Sequence, residues 1–468
     1  MKILKNILKV VFGNMTAIIS GVFVGFVLPK IISVSDYGFY KIFTLYFSYI
    51  GVLSMGIIDG IVLKYGKYNY EELDRKSFRS YFAWYALINF FFSVILFVIA
   101  VCAKDVDYQF VLLMLCANIL PVNYTGYFQQ ISQITQRFKE YSIRKAVHSA
   151  ANVIFIVIIF AMYQWGGVYM TYNIYLLGML LINVALSFWY MHTYRDIIFG
   201  DHNSLRYTFK EILSLMKLGM PLLLANLCST FLISLDRQFV SMLFTTEEYA
   251  VYAFAYSMLS LITVATSAVA TVLYPVFKRM DEKLLRENYS NMTAVTLVFS
   301  FAVILVYYPL CYFINWFLPS YEYSLLIFRI ILPGLVMSTV LTVVMHNYYK
   351  VLGLSASFFK KSIIALIVAF LANLVAFLIF KSRESISIAS IFAFVFWYLM
   401  TELPLRKTCK VNIKNFLFLI VMCACFYLCT ITNIYWLGGI INLGAFVGGS
   451  ILFYGKDIKS IIKLVKKQ

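Results

Sequence analysis

The chain has 468 residues, of which 62% are hydrophobic and only 13% are charged, and its formal net charge is +18. Soluble domains are about 45–50% apolar and about 25% charged, so this composition excludes a water-soluble fold. The basic residues lie in short connections between apolar runs rather than in one patch, which argues against nucleic-acid binding. We therefore expect an integral membrane protein with no nucleic-acid partner.

Apolar runs long enough to cross a bilayer recur along the whole chain. A span needs about 20 mostly apolar residues, and it should be helical because backbone polar groups in lipid must be satisfied within the segment. The sequence therefore predicts an all-α polytopic membrane protein of about fourteen transmembrane helices. The runs are 9–33, 39–63, 79–102, 108–131, 144–164, 170–191, 214–243, 249–273, 291–314, 324–349, 359–380, 385–403, 414–432 and 434–454.

The placement of Lys and Arg supports this number of helices. When the connections are assigned alternately to two sides, 32 of the 39 basic residues collect on one side. The positive-inside rule makes that side cytoplasmic. An even number of spans then places both termini in the cytoplasm. The expected location is a bacterial inner or plasma membrane, with no room for a soluble domain on either face.

Two short segments 212 residues apart share an acidic-Tyr-small-x-Tyr pattern. Asp36–Tyr40 reads Asp-Tyr-Gly-Phe-Tyr and Glu248–Tyr252 reads Glu-Tyr-Ala-Val-Tyr, each after an apolar run. The pattern indicates a duplicated six-helix unit, whose two copies share one orientation about a pseudo-two-fold axis along the membrane normal. The predicted division is an N-terminal lobe over 1–200, a C-terminal lobe over 201–403, and two appended helices with a basic tail over 404–468.

Glycine pairs four residues apart occur in three of the predicted spans. Such small-xxx-small spacing lets helices approach closely, so we interpret these pairs as packing sites. The pairs are Gly21/Gly25, Gly56/Gly60 and Gly444/Gly448.

Cations inside the predicted spans are the main candidates for a functional site. A charge at the bilayer centre costs about 2.5–3.5 kcal/mol on the insertion scale, so such residues usually face a cavity or a partner. Lys30, Lys41, Arg237 and Arg329 all fall toward the outer half, where the positive-inside rule disfavours them. We therefore predict a partly basic vestibule between the two lobes.

Polar residues at helical spacing extend this predicted vestibule. Asn226, Ser229 and Ile233 share a helix face with Arg237, and Asn14 shares one with Lys30. The fourth run adds further polar residues, Asn118, Asn123, Gln129 and Gln130. The predicted substrate-binding set is Lys30, Lys41, Arg237, Arg329, Asp236, Asn226 and Asn14.

Structural interpretations of the same residues remain open. Lys30, Lys41 and Lys381 are near enough to an interface to extend their ammonium groups into water, an interpretation we favour for Lys41 and Lys381. Asp236 could pair with Arg237 or with a neighbouring helix. Asp59 and Glu402 lie near cytoplasmic ends, where they could be interfacial or could take part in ion coupling.

Enzyme signatures are missing from the sequence. There is no Walker A, GxSxG or HExxH motif, and the eight cysteines include no CxxC pair. The cysteines lie mainly in apolar runs, where they suit small buried hydrophobes. We expect no catalytic residues, no metal and no cofactor other than a possible H⁺ or Na⁺ coupling ion. A membrane-embedded polymerase or transferase is the alternative of a different class, but it would need a large external loop.

Several local motifs resemble one family of transporters. A basic residue, Lys30, ends the first span, and the segment Asp36-Tyr37-Gly38-x-Tyr40 begins the second. Further matches lie around the seventh and eighth spans, at Pro221, Asp236-Arg237, Glu248-Tyr249, Tyr252 and Tyr274-Pro275. These features resemble bacterial polysaccharide transporters, the O-antigen flippase group of the multidrug/oligosaccharidyl-lipid/polysaccharide exporter superfamily. Ala250 replaces the usual glycine, and Ser33-Val34 replaces the usual Leu-Gly.

The resemblance implies a substrate and a route. An oligosaccharide on undecaprenyl pyrophosphate would move from the cytoplasmic to the outer leaflet by alternating access, driven by the membrane potential or by H⁺ or Na⁺ counterflow. Membrane lipid, a polysaccharide polymerase and a chain-length regulator would be its partners. The alternative within the superfamily is a drug or solute exporter, for which acidic rather than basic cavity residues are expected.

Overall fold

The computed structural model describes residues 2–66, 68–167, 170–260, 280–431 and 434–465, and within these ranges the chain forms helices and loops without a strand. The expectation of an all-α polytopic membrane protein is confirmed. The helices are α1 Lys2–Ile31, α2 Val34–Phe47, α3 Ile57–Tyr65, α4 Arg75–Val101, α5 Val106–Ile134, α6 Phe138–Gly166, α7 Tyr172–Thr193, α8 Leu205–Leu243, α9 246–260, α10 Glu282–Ile304, α11 Tyr307–Phe317, α12 Ser324–Val340, α13 His346–Val351, α14 Ser355–Phe380, α15 Arg383–Leu405, α16 Ile413–Ile431 and α17 Tyr435–Val465.

The long apolar helices correspond to the predicted spans. Among the described residues, eleven helices are long and apolar enough to cross a membrane, and one bent helix pair, Val34–Ser54 with Ile57–Tyr65, raises the number to twelve. The predicted runs 9–33 and 249–273 contain residues that the structure does not fully describe. The total of fourteen spans therefore stays a prediction, whereas the multi-pass character of the chain is established.

The second predicted span is broken rather than continuous. It consists of α2, a 3₁₀ turn over Ile50–Ser54 and α3, with a bend of 55° between its two parts. Met55 and Gly56 adopt left-handed backbone conformations at the break, with φ of 51° and 76°. The break frees backbone groups at membrane depth, and Asn123 Nδ2 donates to the Ile50 carbonyl at 3.3 Å. Transporters commonly use such discontinuous helices near their substrate sites.

Helix α3 packs closely on α8 through glycines. A Cβ on Gly56 would lie 2.8 Å from the Met220 backbone nitrogen, and one on Gly60 would lie 2.8 Å from the Leu215 carbonyl carbon. The Gly56/Gly60 pair is therefore a packing site, as predicted.

The other two glycine pairs do not have this role within the described part of the chain. A Cβ on each of their four glycines would meet no atom within 4 Å. Spacing alone does not distinguish a glycine that faces a helix from one that faces open space.

The chain divides into two compact units, residues 1–250 and 251–468. The predicted lobe boundaries near residues 200 and 403 derive from sequence repetition rather than from packing, and they stay predictions.

Within the first unit, the connections between helices group at two ends. At one end Tyr172 donates its backbone N–H to Asp36 at 3.4 Å and its hydroxyl to Asp107 at 2.6 Å.

At the other end of the first unit the basic connections meet. Arg75 Nε lies 2.9 Å from Asp196 Oδ2, and the Arg75 and Arg137 guanidinium groups each lie 4.4 Å from the centre of the Tyr70 ring. These groupings agree with the alternating connections of the predicted topology. Which end is cytoplasmic stays a prediction.

Candidate functional site

The two copies of the acidic-Tyr pattern are helix starts. At the start of α2, Asp36 donates its N–H to Ser33 Oγ at 3.0 Å, and Ser33 Oγ donates to Asp36 Oδ2 at 2.6 Å. At the start of α9, Thr245 donates its N–H to Glu248 Oε2 at 3.1 Å, and the Glu248 N–H donates to Thr245 Oγ1 at 3.3 Å. Each pair satisfies backbone donors that a helix N-terminus leaves open. In both copies the acidic residue lies inside the first helical turn.

The two helix starts also contact one another within the first unit. A Cβ on Gly38 would collide with the carbonyl oxygen and the Cγ2 of Thr246. Tyr249 donates its hydroxyl to the Lys41 carbonyl at 3.4 Å. The duplicated segments therefore form one joint, and Gly38 permits its close approach.

This joint surrounds Lys41 with tyrosines. The Lys41 Nζ lies 5.1 Å from the centre of the Tyr37 ring and 5.2 Å from that of Tyr40. Tyr37, Tyr40 and Tyr249 are buried, while Lys41 is half-buried. An ammonium group over aromatic faces is stabilised by the ring quadrupoles, the more so where water is partly excluded.

Arg237 brings a second cation to the same place. It is half-buried near the end of α8, and its guanidinium acts electrostatically on both Lys41 and Tyr249. We call Lys41, Arg237, Tyr37, Tyr40 and Tyr249 the cationic cluster. The structure thus brings together two of the predicted site residues from helices almost 200 positions apart in the sequence.

The face of α8 that carries Arg237 is set by contacts with the broken span. Tyr49 shares a hydrogen bond of 2.5 Å with Ser234, accepts one of 3.1 Å from Gln238, and stacks on Phe231 at 4.7 Å. These contacts orient α8 so that Asp236 is only 2% exposed. Asp236 Oδ1 accepts the Arg237 backbone N–H at 2.8 Å.

The cluster therefore holds two cations, and the buried carboxylate of Asp236 lies next to Arg237 in the chain. The summed formal charge of these three groups is positive when all are ionised. Arg237 lies on α8, which has the length and composition of a membrane span, and Lys41 lies on the bent helix pair that passes the same test as a whole. Two neighbouring cations in a low-dielectric setting repel one another, and an anionic ligand would relieve this repulsion. The arrangement suits the binding of an anionic group rather than a chemical reaction.

Three other residues of the predicted substrate-binding set, Lys30, Asn226 and Asn14, also lie in the first unit. Lys30 is exposed in the last turn of α1, and Asn226 is exposed on α8. Asn14 lies on α1, but its side chain is outside the part that the structure describes. Ser229, Ile233 and Arg237 are all partly accessible on α8.

Arg329 belongs to the second compact unit and has its own contacts. It is half-buried on α12, and its Nη1 donates to the Thr430 carbonyl at 3.1 Å. Thr430 lies in the last turn of α16, where a cation complements the open carbonyls and the helix dipole. This geometry gives Arg329 a role in joining two helices of its unit.

The two acidic residues considered for ion coupling have different surroundings. Asp59 is partly accessible in the first turn of α3, where its Cβ faces Gly219 of α8. Glu402 is 1% exposed near the end of α15 and forms an ion pair of 3.5 Å with Arg406. Their proposed coupling role stays a prediction.

The asparagines of α5 have a structural role that the sequence did not predict. Asn118 and Asn123 were expected to line the vestibule, but both are buried. Asn118 Oδ1 accepts from Asn183 at 2.8 Å, and Asn123 donates to Asn89 at 2.5 Å. In lipid, buried amides form interhelical hydrogen bonds because water is not available.

Tyr37, Tyr40 and Tyr249 are the candidate site residues that sequence reasoning missed. The acidic-Tyr pattern contained them, but it served only as evidence of duplication and of a family resemblance. Within the described residues, no group of three or more His, Cys, Asp or Glu side chains could hold a metal ion.

Comparison with known proteins assigns a family. A family model described as "Polysaccharide biosynthesis protein" matches residues 27–320, which is more than half of the chain. The chain belongs to this family. The match includes both copies of the acidic-Tyr pattern and the whole cationic cluster, and it confirms the resemblance found in the sequence. A search of curated proteins gave no match.

Solved structures show the same fold. The chain is similar to the lipid II flippase MurJ in an inward closed conformation, with a TM-score of 0.72 and 15% identity over 97% of this chain and 100% of that one. It is also similar to an inward-facing MATE family multidrug resistance transporter of the MOP superfamily, with a TM-score of 0.63 and 14% identity over 85% and 95% of the two chains.

A third similar structure is a MOP superfamily transporter from Pyrococcus furiosus, with a TM-score of 0.54 and 13% identity over 86% and 95% of the two chains. Family membership and this fold agree with the expectation of a transport protein rather than an enzyme.

Proposed function

We propose that the protein moves an undecaprenyl-pyrophosphate-linked oligosaccharide from the cytoplasmic to the outer leaflet by alternating access. The cargo would be a repeat unit of an O-antigen, a capsule or an exopolysaccharide. The observation that carries the proposal is the cationic cluster, in which Lys41 on the bent helix pair lies over two buried tyrosine rings and within electrostatic reach of Arg237 on the apolar helix α8. The polysaccharide biosynthesis family and the similarity to a lipid II flippase support a lipid-linked cargo.

The cationic cluster matches the part of this cargo that cannot cross hydrocarbon. A pyrophosphate carries negative charge and many acceptor oxygens, and Lys and Arg are the side chains that bind such groups best. The tyrosine hydroxyls and ring faces around Lys41 add polar and aromatic surface suited to sugar. The isoprenoid tail can stay in the bilayer throughout.

The direction of movement follows from the charge of the head group. A potential that is negative inside contributes about 2.3 kcal/mol per elementary charge per 100 mV, so an anion is driven outward. H⁺ or Na⁺ counterflow, with Asp59 or Glu402 as carriers, is the other proposed energy source. We place the protein in the bacterial cell membrane with both termini in the cytoplasm, where a polymerase and a chain-length regulator would act on its product.

A MATE-like exporter of drugs or solutes is the second candidate, because MATE transporters share the fold. The cationic cluster favours an anionic cargo over the organic cations that an acidic cavity would bind.

Binding of matched lipids tests the proposal directly. The full chain in nanodiscs would be titrated with undecaprenyl pyrophosphate and with undecaprenol, which share the tail and differ in charge. Hydrogen bonds to charged groups are worth about 1.5–3 kcal/mol, so we expect Arg237→Ala to weaken pyrophosphate binding at least tenfold. Undecaprenol binding should not change.

A matched control and a cell assay complete this test. Lys104 is an exposed lysine in the connection before α5, outside the cluster, and Lys104→Ala should leave both lipids unaffected. In the native host, Arg237→Ala and Lys41→Ala should reduce surface glycan at normal protein levels, while Arg237→Lys retains part of it. Equal binding of both lipids by the wild-type protein, or normal glycan display by both alanine variants, would refute the proposal.

A further inference from the structure

An apolar groove runs along the hairpin of α14 and α15 in the second unit. Its volume is about 740 Å³. Both helices qualify as membrane spans, so the groove lies at the depth of lipid. It is lined by Val368, Leu371, Ala372, Val375, Ala376, Phe380, Ser382, Glu384, Ser385, Ile388, Ala389 and Phe392.

Small residues form the floor of this groove and large ones form its walls. Ala372, Ala376 and Ala389 leave space between the helices, whereas Leu371, Val375 and Ile388 are more than half exposed along its sides. Exposed apolar walls around a furrow at membrane depth suit a hydrocarbon chain.

Two cations flank the polar mouth of the groove in sequence, between and beside its lining residues Phe380, Ser382 and Glu384. Lys381 follows α14 in a left-handed conformation and is exposed, and Arg383 begins α15. The N-terminus of α15 adds a partial positive charge. Glu384 is the acidic residue of the mouth, and it accepts a hydrogen bond from Tyr323. Arg383 also stacks over the Tyr323 ring at 4.8 Å.

These cations are unusual in their position along the chain. Lys381 and Arg383 are two of the seven basic residues that the sequence places on the predicted external side, against the 32 on the other. The positive-inside rule therefore does not account for them. Binding of an anionic lipid would account for two cations beside the mouth of an apolar groove.

We propose that this groove binds one acyl chain of an anionic phospholipid, whose phosphate lies at Lys381, Arg383 and the N-terminus of α15. Its lining on α14 runs from Val368 to Phe380, about 18 Å along the helix axis at 1.5 Å per residue. One leaflet of a bilayer has a hydrocarbon thickness of about 15 Å. The groove thus matches a leaflet-long acyl chain, whereas an undecaprenyl chain would extend well beyond it.

Native mass spectrometry of the full chain can measure this binding. The detergent-purified protein would be titrated with palmitoyl-oleoyl phosphatidylglycerol or with the matching phosphatidylcholine. We expect tighter retention of phosphatidylglycerol. One basic residue near an anionic lipid surface is worth about 1 kcal/mol, so Lys381→Ala should weaken phosphatidylglycerol binding about fivefold. Lys104→Ala, the removal of another exposed lysine from the predicted external side, should not.

A second pair of variants tests the groove itself. Ala376→Phe would fill the furrow and should reduce retention of both phospholipids, whereas Ala150→Phe, at an exposed alanine on α6, should not. Equal retention of the two lipids by the wild-type protein would overturn the proposal, as would unchanged binding in Lys381→Ala. Displacement of phosphatidylglycerol by equimolar undecaprenyl phosphate would instead assign the groove to the isoprenoid chain. None of these results depends on the cationic cluster of the first unit.

Discussion

Replacement of Gly38 by alanine tests the joint between the duplicated helix starts. The added Cβ would collide with the Thr246 carbonyl oxygen, which is backbone and cannot rotate away. The start of α9 would have to move, and it carries Tyr249, which donates to the Lys41 carbonyl. We therefore expect Gly38→Ala to lower both the stability of the first unit and the affinity for undecaprenyl pyrophosphate.

The size of the effect can be separated from helix propensity. Overpacking costs about 1–3 kcal/mol, while Gly→Ala in a helix interior gains about 1 kcal/mol. Gly25→Ala on α1 is the matched control, because its Cβ would meet nothing within 4 Å. The propensity gain is common to both variants, so their free energies of unfolding should differ by about 1–3 kcal/mol.

Thermal unfolding of the purified protein in detergent measures this difference. At about 2–4 °C per kcal/mol for a unit of this size, Gly38→Ala should unfold roughly 2–12 °C below Gly25→Ala. Lipid titration of the same samples reports on the cluster. If the two variants unfold together and bind undecaprenyl pyrophosphate equally, the joint does not position the cationic cluster.

Three further predictions concern packing. Gly60→Leu should destabilise the protein strongly, because the backbone of α8 fills the space next to Gly60. Gly444→Leu is the control and should be tolerated, because its side chain would enter open space. Similar melting temperatures of the two variants would contradict this prediction. Arg329→Ala should lower the melting temperature without weakening pyrophosphate binding, and a binding defect at unchanged stability would instead support its predicted cavity role. Asn123→Ala and Asn89→Ala should each cost about 1 kcal/mol, and the double variant should cost less than their sum because the two amides share a hydrogen bond.

Sequence reasoning reached part of the candidate site. It selected Lys41 and Arg237 because cations are costly inside a span, and that cost depends only on hydropathy and position. It could not show that the two residues come within electrostatic reach of each other, because one is on α2 and the other on α8. It also treated Tyr37, Tyr40 and Tyr249 as markers of duplication, since their place around Lys41 appears only once both helix starts pack together.

Other features of the fold also divide into those that hydropathy determines and those that depend on helix packing. Composition and hydropathy by themselves determined a polytopic helical membrane protein, because lipid leaves a backbone no other way to satisfy its polar groups in an unbroken apolar run. Tertiary structure decided the break at Met55 and Gly56, the one glycine pair that packs against a neighbouring helix, and the burial of Asn118 and Asn123. Each of these depends on which helix lies opposite, and residue spacing within one helix carries no information about its neighbour.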